Sequence, residues 1–290
     1  MTQAAAKTGL IPALLVAIEQ NHPNNERIIS DHLAYSILPF GMRVFVWFMQ
    51  FSVMRNWMVQ TIEKRSSGIW AGLLCRKRYI DEKLFNLDHD IEAIVNLGAG
   101  FDTRVYRMPA TSQIPVWEVD QNENISQKHS FLEKQFGQIP PHIQLVPIDF
   151  DKDDISSVLS SNGYSSDQKT FFIWEAVSQF LTGRGIQTTF TFLSKAAQGS
   201  RLVFTYILRD FLDGENLYGQ EKSYEQFVEK GIWLFGLHPK EVSRFLESYG
   251  WRVLEHHSYD TLAEKYVVPT GRKLAVLPIE RMVLAEKFLA

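Results

Sequence analysis

From residue 93 onward, short uninterrupted apolar runs alternate with amphipathic stretches of helical length. That alternation restricts the chain to an α/β sheet with helices on its faces. The runs fall at residues 93–97, 115–120, 143–150, 171–177 and 201–208. Two more follow at 251–256 and 273–277, the last continuing through Pro278 into 282–285. Runs without polar alternation suit parallel strands covered on both faces. The stretches between them predict helices over 122–136 and 153–160, and a third from a Thr182 N-cap to Ala197. A fourth is predicted over 239–249. Pro239 stands in its first turn, Val242, Phe245, Leu246 and Tyr249 share one face, and Gly250 stops it. No Pro/Gly/Ser-rich linker interrupts the series. Before residue 90 the chain reads as helical and aromatic, with Trp47, Trp57 and Trp70. Residues 1–90 are therefore expected to form an N-terminal helical cap belonging to the same domain as a core of residues 91–290.

Composition narrows the functional classes. The 290 residues are 45% hydrophobic and 22% charged, as in soluble globular proteins. A formal net charge of -3 gives no global attraction to nucleic-acid phosphates, so no nucleic-acid partner is expected. The single cysteine, Cys75, cannot form an internal disulfide, which fits a reducing, cytoplasmic setting and a packed apolar role. The apolar run at 10–18 is short, contains Pro12 and lacks a basic start, so it does not read as a secretory leader. Arg43 and Arg55 break the apolar region 33–59 below the length of a spanning helix. This region, with VFVWFM at 44–49, reads as buried or site-covering helix. Cys and His show no metal-ligand spacing, so no metal is expected.

The strongest local feature is Ile94-Val95-Asn96-Leu97-Gly98-Ala99-Gly100, a strand running into Gly-x-Gly. Glycines there permit a tight turn and close approach of a ligand to the main chain. Asp120 follows Gly100 by 20 residues, at the end of the next strand. A carboxylate so placed can accept the hydroxyl hydrogens of a ribose, and Glu118 on the same strand face is its alternative. Thr103 stands where a dinucleotide fingerprint has a third Gly or Ala, which weakens an NAD reading. The chain has no Walker lysine motif.

NLGAGFDTRVYRM, residues 96–108, resembles the NLGAGxDTRxYR signature of the leucine carboxyl methyltransferase family of S-adenosylmethionine-dependent O-methyltransferases, which has a bacterial polyketide-tailoring branch. Asp31-His32-Leu33-Ala34, Arg76-Lys77-Arg78-Tyr79-Ile80-Asp81 and Trp117-Glu118-Val119-Asp120 resemble further family elements in the same order. So do Ile148-Asp149-Phe150, Ile173-Trp174-Glu175-Ala176-Val177 and Phe180-Leu181-Thr182. Together they cover roughly residues 30–285. The resemblance implies a class I methyltransferase, Rossmann-like fold. Its seven-stranded sheet is mostly parallel, with an antiparallel strand near the C-terminus and helices on both faces. It also implies S-adenosyl-L-methionine as cofactor and S-adenosyl-L-homocysteine as product.

The resemblance assigns roles as well. Arg76 would pair with the methionyl carboxylate, Gly98 and Gly100 would admit the cofactor's backbone, and Asp120 would hold the ribose. Asp149 would accept from the adenine amino group with Phe150 beside it, and Glu175 would face the ammonium. Each has a plainer reading: Arg76 in a solvated basic cluster, Asp149 opening a turn, Glu175 as a structural acceptor. Lys77, Ala176 and Phe180 replace the usual Thr, Gly and Tyr, and the last two fall where cofactor and acceptor should meet.

The implied acceptor is a small, apolar, polyketide-like molecule or another carboxylate-bearing compound. A carboxylate needs no general base, whereas a hydroxyl does. Candidate catalytic groups are Glu175, Tyr206 and His238. Tyr206 is alternatively a half-buried strand tyrosine, and His238 a neighbour of a helix N-terminus. Trp47, Phe48 and Phe51 could form a lid over the acceptor or belong to the core. Competing readings are an NAD-dependent oxidoreductase and a catalytically silent scaffold of the same fold.

Overall fold

The computed structural model describes residues 9–288. Residues 1–8, which carry part of the leader and cap readings, and residues 289–290 lie outside the described residues. The strands are β1 (Ala93–Leu97), β2 (Val116–Asp120), β3 (Ile143–Pro147), β4 (Thr170–Trp174), β5 (Arg201–Leu208), β6 (Gly236–Leu237), β7 (Trp251–Ser258) and β8 (Glu280–Lys287). Seven of them form one sheet in the order β3-β2-β1-β4-β5-β8-β7. The eighth, the two-residue β6, pairs parallel with the end of β5 and adds to the seven expected strands. All pairings are parallel except those of β8, which runs antiparallel to both β5 and β7. This is the mostly parallel class I methyltransferase sheet.

Burial explains why the strands could be read. Every residue of β1, β2 and β4 is buried, as their unbroken apolar runs require, whereas edge strands β3 and β7 alternate. The sheet is surrounded by α1 (Leu10–Glu19), α2 (Phe40–Phe48), α3 (Ser52–Arg65), α4 (Ile69–Phe85), α5 (Arg104–Arg107), α6 (Asn122–Phe136), α7 (Ile155–Ser161), α8 (Gly183–Leu193), α9 (Arg209–Leu212), α10 (Glu221–Ser223, leading into a π-helical turn), α11 (Val242–Glu247) and α12 (Tyr259–Tyr266). Thr182 caps α8 by accepting from the Gly185 N–H at 3.2 Å, and Asp154 caps α7 at Ser157. Replacing such a cap by Ala costs typically ~1 kcal/mol.

Several boundaries differ from expectation: β4 stops at Trp174 rather than 177, and α8 at Leu193 rather than Ala197. Strand β3 stops at Pro147, before the expected residue 150. Helix α11 starts only at Val242, because His238 O and Glu241 N close a turn ahead of it. The expected strand at 273–277 is not one: β8 begins at Glu280. The segment instead crosses α4 at two glycines. A Cβ on Gly68 would stand 2.1 Å from Val276 O, and one on Gly72 would stand 2.8 Å from the Leu277 Cβ. The segment has no ladder neighbour, and helix lies under it.

Residues 40–57 differ more. Phe40, Trp47, Phe48, Phe51 and Trp57 are exposed on α2, α3 and their junction, Phe40 to 74% and Trp57 to 69%. They are neither core nor cleft lining. No helix among the described residues is long and apolar enough to cross a membrane. Cys75 is buried on α4, and that burial pushes its thiol up to about 12, so it stays protonated.

Candidate cofactor and acceptor cleft

At the C-terminal ends of β1, β2 and β4 lies a cleft of about 270 Å³. Its floor is the Gly-x-Gly turn. Gly98 has φ +77°, and a Cβ there would stand 2.2 Å from Val177 Cγ2, so glycine is required for packing against the chain after β4. Gly100, at φ +46°, is different. The nearest atom to its absent Cβ is Asp120 Oδ2 at 4.0 Å, so its α-carbon faces open cleft. The Gly100 N–H donates to Asp120 Oδ2 at 2.6 Å. Asp120 Oδ1 accepts from the Gln121 N–H at 2.7 Å and the Asn124 side-chain amide at 2.8 Å. Burial pushes this carboxyl up, while those three donors oppose it. Asp120 lines the cleft. Glu118 is fully buried beneath, paired with Lys128 at 2.7 Å and with the Tyr106 hydroxyl, so it leaves the cleft edge to Asp120.

The opposite wall is a buried network of charge. Arg76, from α4, donates through Nε to Glu175 Oε1 at 2.9 Å and through Nη1 to Glu280 Oε2 at 2.9 Å. Two of its three nitrogens are thus committed to carboxylates, and it is no solvated surface cation. Lys77 stands 3.4 Å from the same Glu175 oxygen, while Arg78 points outward. Arg104, from α5, meets Glu175 at 2.9 Å, Asp102 at 2.5 Å and Asp81 at 3.2 Å. Arg107 meets Asp81 at 2.5 Å and Asp31 at 3.2 Å. Asp31 also accepts from the Thr103 hydroxyl and from the Leu33 and Ala34 N–H groups. Burial alone would raise the Glu175 carboxyl, but Lys77, Arg104 and Arg76 outweigh it and hold it well below the usual carboxylate range.

Beside Glu175, Ala176 lines the cleft with φ +56° and its N–H on Thr205 Oγ1 at 2.9 Å. A left-handed alanine costs roughly 1–2 kcal/mol, and it stands where the resemblance expects glycine. The rest of the lining is largely apolar. Ile11, Pro12 and Val16 of α1 form one side, and Phe180, Phe227 and Ile207 form another.

The structure thus brings Arg76, Gly98, Gly100, Asp120 and Glu175 into one cleft. Four other sequence candidates fall outside its lining. Phe150 is buried in the core, and Asp149 sits in a turn with Lys152 and the Asp151 N–H on its carboxylate. The Tyr206 hydroxyl bonds His256 Nε2 at 2.8 Å within the sheet layer. His238 lies after β6, half-buried. Sequence reasoning assigned no role to Arg104, Asp102, Asp31, Asp81, Arg107 or Glu280. All but Glu280 lie inside the family-like elements, which was their signal. Among the described residues no group of three His, Cys, Asp or Glu side chains could hold a metal ion.

Comparisons with known proteins bear on this geometry. A family model described as leucine carboxyl methyltransferase matches residues 9–194. YktD of Bacillus subtilis (strain 168), provisionally named an S-adenosyl-L-methionine-dependent methyltransferase, is 28% identical over 205 residues, which is 67% of this chain and 65% of that protein. A Mycobacteroides abscessus protein with the same provisional name is 25% identical over 186 residues, 62% of each chain. The chain spans a little under two thirds of the length of these relatives. A solved DUF574 family protein from Streptomyces avermitilis MA-4680 shares the fold, with a TM-score of 0.55 at 12% identity over 93% of this chain and 100% of that one.

Proposed function

The chain belongs to the leucine carboxyl methyltransferase family, and on that premise we propose that it is an S-adenosyl-L-methionine-dependent methyltransferase that methylates an oxygen of a small, largely apolar acceptor. One observation carries the reading: Asp120, the open face of Gly100 and the Arg76–Glu175 pair share a single cleft with an apolar chamber. Nucleotide ligands of parallel sheets bind at this end of the strands.

The residues fit the cofactor. Asp120, already fixed by three donors, is oriented to accept ribose hydroxyls, and Gly100 leaves the main chain open beside it. Arg76 holds the methionyl carboxylate by sharing its guanidinium with Glu175 and Glu280, and Glu175 faces the ammonium. Asp149 and Phe150, beyond the end of β3, lie outside the cleft lining, so the adenine contact that the resemblance implies for them is not part of this reading. When bound, the cofactor supplies a methyl group on a positively charged sulfur, which departs as an uncharged thioether.

Because that leaving group needs no acid, the protein's contribution is alignment. Holding both reactants in place can supply about 7–11 kcal/mol of the barrier in the best-oriented cases. The cleft lining contains no histidine or tyrosine among the described residues. A hydroxyl acceptor would therefore have to pass its proton to a carboxylate, whereas a carboxylate acceptor arrives ready to react. We take the second as the reaction, with a methyl ester as product.

The test is calorimetric titration with S-adenosylhomocysteine, with NADH as control. Saturable binding is expected, weakened at least tenfold in Asp120→Ala, which leaves the Gly100 and Asn124 donors unpaired. Binding of NADH in its place would overturn the reading in favour of an oxidoreductase. Cofactor binding with no base-labile methyl ester from any apolar carboxylic acid would overturn the acceptor assignment.

A further inference from the structure

Helices α2 and α3 turn an apolar face to water. Phe40, Val44, Trp47, Phe51, Met54 and Trp57 recur every three or four residues, the spacing of one helix face, and all are exposed. The Trp47 ring ties the stripe together at the junction, its centroid 5.0 Å from that of Phe48 and 6.1 Å from that of Phe51. The opposite side is anchored. Val46, Met49 and Met58 are buried, and the Asn21 amide at the end of α1 donates to Val46 O at 3.1 Å. Buried Arg55 donates through Nη1 to Met49 O at 3.1 Å and Gln50 O at 3.3 Å, fixing the junction. The outward face is therefore set by the fold. At 150–250 Å² per ring, the exposed parts of Phe40, Trp47, Phe48, Phe51 and Trp57 alone amount to roughly 400–700 Å². The largest apolar patch of a typical monomer is about 300–600 Å², and such patches mark interaction sites.

The charge on this face has one sign. Residues 32–62 contain no Asp or Glu, and the next acid, Glu63, accepts from the Gly68 N–H at 2.8 Å. Arg43 lies three residues after Phe40 and four before Trp47, on the same face of α2. Lys64 and Arg65 lie seven and eight residues after Trp57, on the same face of α3, and both are exposed. None of these three cations forms an ion pair among the described residues. We propose that this face docks the protein reversibly on an anionic phospholipid bilayer. The Trp and Phe rings enter the headgroup layer, where such rings concentrate, and Arg43, Lys64 and Arg65 meet lipid phosphates. A second copy of the chain fits the charge less well. A two-fold interface sets the same patch against itself, so these cations would face one another with no acid in the stripe to pair them. An anionic bilayer supplies the missing charge everywhere along the stripe. The proposal is independent of the methyl-transfer reading.

The test floats the full chain on a density gradient with vesicles of phosphatidylcholine alone, or of phosphatidylcholine and phosphatidylglycerol in equal parts. At low salt at least fivefold more protein is expected to float with the anionic vesicles, and high salt should remove that excess. Two variants separate the contributions: Trp47→Ser with Trp57→Ser removes rings, and Lys64→Glu with Arg65→Glu reverses charge. Each should cut flotation with anionic vesicles at least fivefold while the unfolding temperature stays that of wild type, since the altered side chains are exposed. If the ring variant unfolds, the charge variant decides. Equal flotation with both vesicles overturns the proposal, as does flotation with neither or flotation that survives in both variants. A wild-type chain that sediments as a dimer, becomes monomeric in the ring variant and does not float also overturns it, in favour of a second copy on this face.

Discussion

Glu175 sits with its side chain 8% exposed among Arg76, Lys77 and Arg104, and its protonation is tied to the fold. Its carboxyl is harder to protonate in the folded protein than in the unfolded chain, whose value is near 4.5. A carboxylate depressed in this way stabilises the fold fully above pH 4.5, and that stabilisation is lost as the pH falls below 4.5. Glu175→Gln, which leaves three cations undercompensated, should therefore lower stability at pH 7 by about 3 kcal/mol. The gap between wild type and variant should narrow as denaturant titrations are repeated from pH 4.5 down toward 2, where the folded-state carboxyl titrates. A gap of constant size over that range would mean that Glu175 keeps its unfolded-state titration. Side chains of this kind were only partly legible in the sequence. Gly98, Gly100 and Asp120 could be read because a turn and a strand end set their spacing locally. Glu280, which completes the Arg76 site, lies 204 positions from its partner, and no local pattern marks it.

Among the elements, the strands at the centre of the sheet were readable because burial on both faces demands unbroken apolar runs. The segment at 273–277 has the same composition but only a helix beneath it, and a ladder partner cannot be inferred from one strand's own residues. Helix α11 kept its expected face: Val242 and Leu246 are buried, and Phe245 and Tyr249 pack on Phe190. Its first turn was misplaced because a proline compatible with a helix start also suits the turn before it. The aromatic stretch 40–57 misled in a different way, since apolar residues in helices are usually core and these are exposed. Of the three helices before α4, the one that lines the cleft is α1, not α2 or α3. Trp47→Ser combined with Trp57→Ser should accordingly leave kcat/KM within twofold of wild type in a methyl-ester assay. A loss of tenfold or more would restore these rings as a lid.

For the molecule as a whole, the cleft joins the sheet ends to α1 and α4, so filling it should stabilise the entire fold. A ligand at one hundred times its Kd adds about 2.7 kcal/mol. For a chain near this size, each kcal/mol raises Tm by roughly 2–4 °C. S-adenosylhomocysteine should thus raise the unfolding temperature in a calorimetric scan by roughly 5–10 °C, and NADH should leave it unchanged. An equal shift from both ligands would indicate a cleft that does not discriminate between nucleotides. The fold class was legible at this scale because several ordered motifs point to one topology. The acceptor was not, because the residues that would meet it come from loops whose meeting depends on the finished sheet.

The crossing of α4 by the chain near residue 276 also fixes when, during synthesis, the site can exist. Arg272 reaches back to Glu19 at 2.6 Å, Leu277 packs over Gly72, and Glu280 closes on Arg76. A ribosome-bound chain that has emerged only as far as β5 already holds the glycine turn, Asp120 and Glu175. It holds neither the clasp on α1 nor the second carboxylate on Arg76. Closing such long loops comes late, since their entropy is lost before their contacts form. The growing polypeptide therefore carries an open half-site from the emergence of β5 until the segment around residues 272–280 closes it.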